Sequence, residues 1–185
     1  MTILKKSKFL AACGSLMFLA GCSGGFETDM FSSEPEIVIA CPKVSVLPYA
    51  DQITIFREGP GRDLVDVEYE GVIAPVSGEC VYEDDYAWVE VDLILRVGAI
   101  KGPAAISNEQ SFDFFVAVAD SDNRVLNKKV FDSPVVVPEG RRRGAVQEEL
   151  SQRFPIMSGQ RGSNYRIIVG FQLSQEQMAY NQAKR

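Results

Sequence analysis

Apolar and polar residues alternate along most of the chain from Ile37 onward. The longest run puts Ala87, Val89, Val91, Leu93, Leu95 and Val97 on one face. The other face carries Tyr86, Trp88, Glu90, Asp92, Ile94 and Arg96. A period of two held over that length predicts a strand with one side in the core and the other outside. Val65, Val67 and Tyr69 alternate with Asp66, Glu68 and Glu70; Gly71 interrupts the pattern and Ile73 resumes it. Phe112, Phe114, Val116 and Val118 predict a third apolar face, and Tyr165, Ile167, Val169 and Phe171 a fourth. Shorter candidates are residues 43–47, 52–56, 79–82, 125–131 and 135–137.

Gly59-Pro60-Gly61-Arg62-Asp63, Asp84-Asp85, Lys101-Gly102-Pro103 and Asp120-Ser121-Asp122-Asn123 lie between these runs. Each reads as a turn, because glycine and proline set the backbone angles and Asp or Asn side chains bond nearby amides. Val146, Leu150 and Phe154 are spaced four apart, which suits a helix face or alternate pairs of a strand. Arg141, Arg142 and Arg143 come just before, and three cations at a helix N-terminus oppose its dipole. Adding Ile156 keeps the set even-numbered. A strand is expected, with Glu148 and Gln152 as unexplained polar members. From Ser174 the pattern changes. Ser174 and Gln177 have capping-box spacing, and Gln175, Glu176, Met178 and Ala179 favour a helix. So short a helix survives only by packing, so Met178 or Tyr180 is expected to touch the body. About eight strands and one terminal helix predict an all-β fold. It is expected to be an antiparallel β-sandwich, immunoglobulin-like in architecture, with a small β-barrel as the alternative. Trp88 follows Cys41 and Cys80 rather than lying between them, so a true immunoglobulin domain is not indicated.

The first residues break the alternation. Lys5, Lys6 and Lys8 precede an apolar run over residues 9–20. That run falls short of the roughly 20 residues that cross a bilayer as a helix, and has the layout of a secretory signal peptide. It closes on Leu19-Ala20-Gly21-Cys22. This sequence resembles the lipobox of bacterial lipoproteins. The resemblance implies cleavage before Cys22 and lipidation of the Cys22 thiol and amine. Ser23, where the enterobacterial sorting rule would read Asp as a retention signal, points to the outer membrane. Residues 23–36 are rich in Gly, Ser, Pro and acids, with Phe26, Met30 and Phe31 as apolar exceptions. A coil of that kind spans on the order of 20 Å. The expected organisation is a signal peptide over 1–21, a lipidated flexible tether over 22–36 and one sandwich domain over 37–185. The mature chain also resembles a group of small Gram-negative envelope lipoproteins, on Cys41-Pro42, Gly61-Arg62-Asp63 and Gly140-Arg141-Arg142-Arg143. That likeness implies a location and no activity, so no catalytic residue is carried over.

Composition narrows the chemistry. Of 185 residues 46% are hydrophobic and 24% charged, ordinary for a globular fold. The formal net charge is −6, without the basic excess that a phosphate backbone calls for, which argues against a nucleic-acid partner. There are 0 histidines, so no Ser–His or Cys–His pair and no HExxH zinc site can form. Once Cys13 leaves with the leader and Cys22 takes lipid, Cys41 and Cys80 remain. An even pair in an oxidising compartment is expected to be a disulfide. CxxC spacing is absent, which argues against redox catalysis.

Glu68 with Glu70, and Glu90 with Asp92, each share a strand face about 6.7 Å apart. That separation suits a glycosidase pair, although strand exteriors are routinely charged. Asp120, Asp122 and Asn123 lack the glycine and closing glutamate of a calcium loop, so a hydrogen-bonded turn is expected there. No catalytic residue, metal or cofactor is assigned. Two surfaces are candidates for recognition. Tyr86 and Trp88 beside Glu90 and Asp92 suit a sugar or a protein partner, unless another element covers them. Arg141, Arg142 and Arg143, with Arg153, Arg161 and Arg166 further on, suit anionic headgroups or an acidic partner, unless Glu148, Glu149 or other local acids neutralise them. The expected role is a lipid-anchored envelope binding or scaffolding module facing the periplasm, attached to the membrane through lipid, with a possible envelope protein partner and without catalysis. The alternatives are a glycan binder or weak glycan hydrolase using Trp88 and its acids, and a carrier of an apolar ligand.

Overall fold

In a computed structural model, residues 40–184 are described, all within one compact unit, Val38–Arg185. The expected signal peptide over 1–21, Cys22 and the expected tether lie outside the described residues. Nine strands and one helix follow in order. They are β1 (Lys43–Val46), β2 (Gln52–Phe56), β3 (Val67–Ile73), β4 (Ser77–Glu83), β5 (Trp88–Lys101), β6 (Glu109–Ala119), β7 (Val125–Val136), β8 (Arg143–Pro155), β9 (Arg166–Phe171) and α1 (Gln175–Lys184). They form two sheets packed as a sandwich. One has the order β1-β9-β6-β7; the other runs β2-β3-β5-β4, with β8 on the far side of β5. There is no closed barrel, so the barrel alternative falls. The expected antiparallel pairing needs one correction, because β1 runs parallel to β9.

β5 organises the second sheet. β8 pairs with it from residue 88 to residue 100, while β4 and β3 share its other side end to end. Val89, Val91, Leu93, Leu95, Val97 and Ala99 of β5 are all at most 1% exposed, so the predicted apolar face is the core face. It meets Phe112, Phe114 and Val116 of β6, Val135 of β7, and Ile167, Val169 and Phe171 of β9. These are the expected faces. The strand itself starts at Trp88 and continues to Lys101, so Tyr86 and Ala87 belong to the preceding turn.

Three local departures have physical causes. Gly71 does not interrupt β3. It faces inward, and a Cβ there would lie 2.6 Å from Ile53 and 2.8 Å from the Phe112 ring. The residue is small because an aromatic from the opposite sheet takes its space. Val65 lies in a short 3-10 turn, Leu64–Asp66, and is 64% exposed. Residues 125–131 and 135–137 belong to one strand that runs through Pro134. Val137 N–H donates to Asn108 O, so the odd-numbered residues of β7 turn their backbone toward β6. Pro134 therefore turns its missing N–H to the outer edge, where it breaks no ladder bond.

The polar members of β8 are also explained in part. Val146, Glu148, Leu150, Gln152 and Phe154 face inward together. Glu148 accepts a 2.7 Å hydrogen bond from Ser133 Oγ, a side chain with no exposure. The disulfide is present, joining Cys41 to Cys80 with Cα atoms 5.8 Å apart. The helix forms as predicted. Ser174 and Gln177 exchange hydrogen bonds, and the Tyr180 ring meets Phe56 edge-on at 5.2 Å.

Candidate functional site

The two ends of the sandwich differ in chemistry, and β5 sets the distance between them. Its 14 residues span about 45 Å. At one end the described chain begins. Cys41 is bridged to Cys80 of β4, and Tyr82 Oη donates to the Ala40 carbonyl at 2.8 Å. The β4–β5 turn closes this end with three successive residues at positive φ: Asp84 (49°), Asp85 (50°) and Tyr86 (70°). Left-handed backbone on non-glycine residues costs on the order of 1–3 kcal/mol each and marks a position held for a reason. Here it turns Tyr86 away from the strand, leaves it 54% exposed and sets its ring 5.7 Å from that of Tyr82. An open hollow of about 510 Å³ lies beside them, lined by Cys41, Cys80, Val81, Tyr82, Asp85 and Tyr86.

Sequence spacing put Tyr86, Trp88, Glu90 and Asp92 on one face, and that grouping is only partly realised. Trp88, Glu90 and Asp92 do share the outer face of the second sheet. Tyr86 does not, because the turn carries it to Tyr82, which lies in register with core residue Val89. Nor is Trp88 an open ring. The Arg153 guanidinium of β8 lies 4.2 Å from the ring centroid, and Arg153 Nε is 2.9 Å from Glu83 Oε2. Glu90 accepts from Ser151 Oγ at 2.5 Å. Asp92 stands opposite Glu79 on one side and Ser151 on the other. β8 therefore supplies partners for Trp88 and Glu90, two of the four residues of the proposed recognition face. The other strand carboxylates fare similarly: Lys184 Nζ sits 2.9 Å from Glu70 Oε1.

Asp120 and its neighbours form the expected turn. Asp120 Oδ1 accepts from the N–H groups of Asp122 (2.9 Å) and Arg124 (3.0 Å), and Oδ2 meets the Arg124 guanidinium at 2.8 Å. Burial works to raise the pKa of this carboxyl. The Arg124 and Asp122 bonds and the guanidinium charge outweigh it, so the group ends below its ordinary value of 3.8. Among the described residues no group of three or more potential ligands could hold a metal ion.

The opposite end carries Arg141, Arg142 and Arg143. Lys101, the last residue of β5, exchanges backbone contacts with Arg142: its N–H donates to the Arg142 carbonyl at 2.9 Å. Arg142 Nη2 reaches back to the Lys101 carbonyl at 3.3 Å. Arg141, Arg142 and Arg143 are all exposed, and none makes an ion pair among the described residues. Neutralisation by Glu148 or Glu149 does not occur, because Glu148 takes Ser133 and Glu149 takes Gln147. Arg153 and Arg166 have partners elsewhere, on Glu83 and Asn123. The loop after β5 crosses the same end. Gly102 N–H donates to Glu68 O, and Ala104 N–H to Val67 O. Ile106 of that loop is 97% exposed, and Leu64 and Val65, just ahead of β3, are 78% and 64% exposed. Sequence spacing put Val65 on a strand face with Val67 and Tyr69 and did not single out Leu64 or Ile106. Glu139, Glu109 and Asp63 are exposed acids nearby in the chain.

No protein-family model matches the chain, and no curated protein or solved structure is significantly similar to it.

Proposed function

We propose that this protein is a lipid-anchored binding or scaffolding module of the bacterial envelope, facing the periplasm and held in the outer membrane. The observation that carries the reading is the polarity of the sandwich. The described chain enters at the disulfide, where Cys80 stands opposite Val91, and the unneutralised arginines with exposed Ile106, Leu64 and Val65 lie toward the other end, Arg143 opposite Ile100, about 30 Å along β5. A body leashed at one end presents the other to the periplasmic space. Apolar side chains bordered by arginine suit the buried core and polar rim of a protein interface. Acidic surface on the partner supplies the complementary charge. The glycan alternative draws no support from Trp88, whose ring face is taken by Arg153. The apolar-carrier alternative draws none from a core filled by Phe112, Phe114, Tyr165 and Phe171.

Two experiments test the reading. Metabolic fatty-acid label is expected on the wild-type chain and absent from Cys22→Ser; label that persists in the variant overturns the anchor. Envelope pulldown is expected to recover a stoichiometric protein with wild type and lose it when Arg141, Arg142 and Arg143 are all changed to Ser. Retention on peptidoglycan, unaffected by those changes, overturns the protein-partner reading.

A further inference from the structure

The outer strand β7 has a free edge, and its sequence complements itself. We infer that β7 pairs antiparallel with β7 of a second copy across a two-fold axis at Val130, joining the two β1-β9-β6-β7 sheets into one. Among the described residues β7 makes backbone ladder bonds only with β6. Its odd-numbered residues face β6, so the backbone groups of Lys128, Val130 and Asp132 point to the open side. An exposed edge of this length is a template for another strand. Its outer side chains include Leu126, Val130 and Val136, 45%, 47% and 61% exposed, which is more apolar than the edge offered by Gln147, Glu149 and Ser151 of β8.

Charge chooses the occupant and the register. A two-fold centred on Val130 sets Lys128 of each copy directly opposite Asp132 of the other, giving two opposite-charge pairs. It also sets Lys129 opposite Phe131, a ring over which Lys129 already lies at 4.8 Å within its own chain. Moving the axis to residue 128 or 132 keeps the bonding pattern but brings Lys128 against Lys128 or Asp132 against Asp132. Like charges directly opposite disfavour both. Pro134 then falls opposite Leu126, next to the bulge at Val118/Ala119, where the ladder is already irregular. Lys128 keeps donors to spare, since its ammonium spends one on Gln172 Oε1 at 2.7 Å.

The test is cysteine crosslinking of the full chain in the envelope, read on non-reducing gels. Val130→Cys lies on the axis, so it is expected to give a covalent dimer. Leu126→Cys lies off the axis and is expected to give none, as is wild type, whose Cys41 and Cys80 are bridged. Adding Lys128→Glu to Val130→Cys places Glu opposite Asp132 twice and is expected to cut the dimer yield about tenfold. Adding Asp132→Lys as well restores it. A folded, protease-resistant Val130→Cys chain that stays monomeric overturns the inference. So does equal crosslinking at 126 and 130, or a yield that ignores Lys128→Glu. A wild-type dimer band would come from Cys13 or Cys22 left free and would count against the anchor, whereas this inference is read from the difference in yield between Val130→Cys and Leu126→Cys above that band.

Discussion

Asn181 is the side chain that holds the C-terminal helix to the body, and its removal has a calculable cost. α1 has ten residues, fewer than the roughly 12–15 at which an isolated helix persists in water. Its exposed ion pairs, Arg62 with Glu176 and Lys184 with Glu70, contribute at most about 1 kcal/mol each. Asn181 is 6% exposed, and its amide donates to the carbonyls of Tyr49 (2.8 Å) and Gln52 (2.7 Å). Asn181→Ala loses two bonds worth about 1 kcal/mol each and strands those carbonyls, for a total of roughly 2–4 kcal/mol. At this chain size about 3 °C is lost per kcal/mol, so the melting midpoint is expected to fall by roughly 6–12 °C. Far-UV circular dichroism melts measure the fall directly. Asn181→Asp separates bonding from packing, because it keeps the shape but turns acceptors toward acceptors; it should cost at least as much as alanine. An Asn181→Ala protein that melts within about a degree of wild type would refute the argument.

Three further outcomes follow from the same structure. Cys80→Ser opens a bridge spanning 39 residues and is expected to cost up to about 4 kcal/mol in urea unfolding, with mass spectrometry showing the bridge in wild type. The depressed Asp120 carboxyl stabilises the fold above its ordinary value of 3.8, and that contribution is lost as pH falls through the lower folded value. The stability gap between wild type and Asp120→Asn should therefore be full at pH 5 and above and shrink below about pH 4; a gap independent of pH would sink this account. Val91→Ala removes two core methyls at a position 1% exposed and is expected to cost about 2 kcal/mol. Trp88→Ala loses chiefly the contact with Arg153, about 0.5–1 kcal/mol, so it should melt above Val91→Ala.

The strands were legible because their signal is local. Period-two alternation on Val89–Val97 fixes which side of β5 is the core, whatever pairs with it. The Ser174–Gln177 cap and the Cys41/Cys80 pair were legible for related reasons, one from a short-range bond and the other from parity and the expected compartment. Facts that depend on pairing between distant segments were not. Gly71 read as an interruption because the ring that fills its place comes from Phe112 in the other sheet. Glu148 read as an exception because its partner, Ser133, is a serine on β7 with nothing in its own surroundings to mark it.

The same division decides how the surface is to be read. Trp88 looked like an open recognition ring because alternation reports which side a residue faces and says nothing about its neighbour across the sheet. That neighbour is set by the β5–β8 register, which brings Arg153 opposite Glu90 and lays its guanidinium over the indole. At Arg141–Arg143 the structure moves the weight the other way. The sequence offers Glu148 and Glu149 only a few residues along, close enough for neutralisation to be the default expectation. Yet these lie farther down β8, opposite Leu95 and Ile94, while Arg143 lies opposite Ile100 near the end of the sheet. Five strand positions separate Arg143 from Glu148, about 17 Å, beyond the Debye length at physiological salt. A charge run that the chain itself could have cancelled is left at the rim because β8 is extended, and that extension leaves three arginines without an ion pair at this end of the described body.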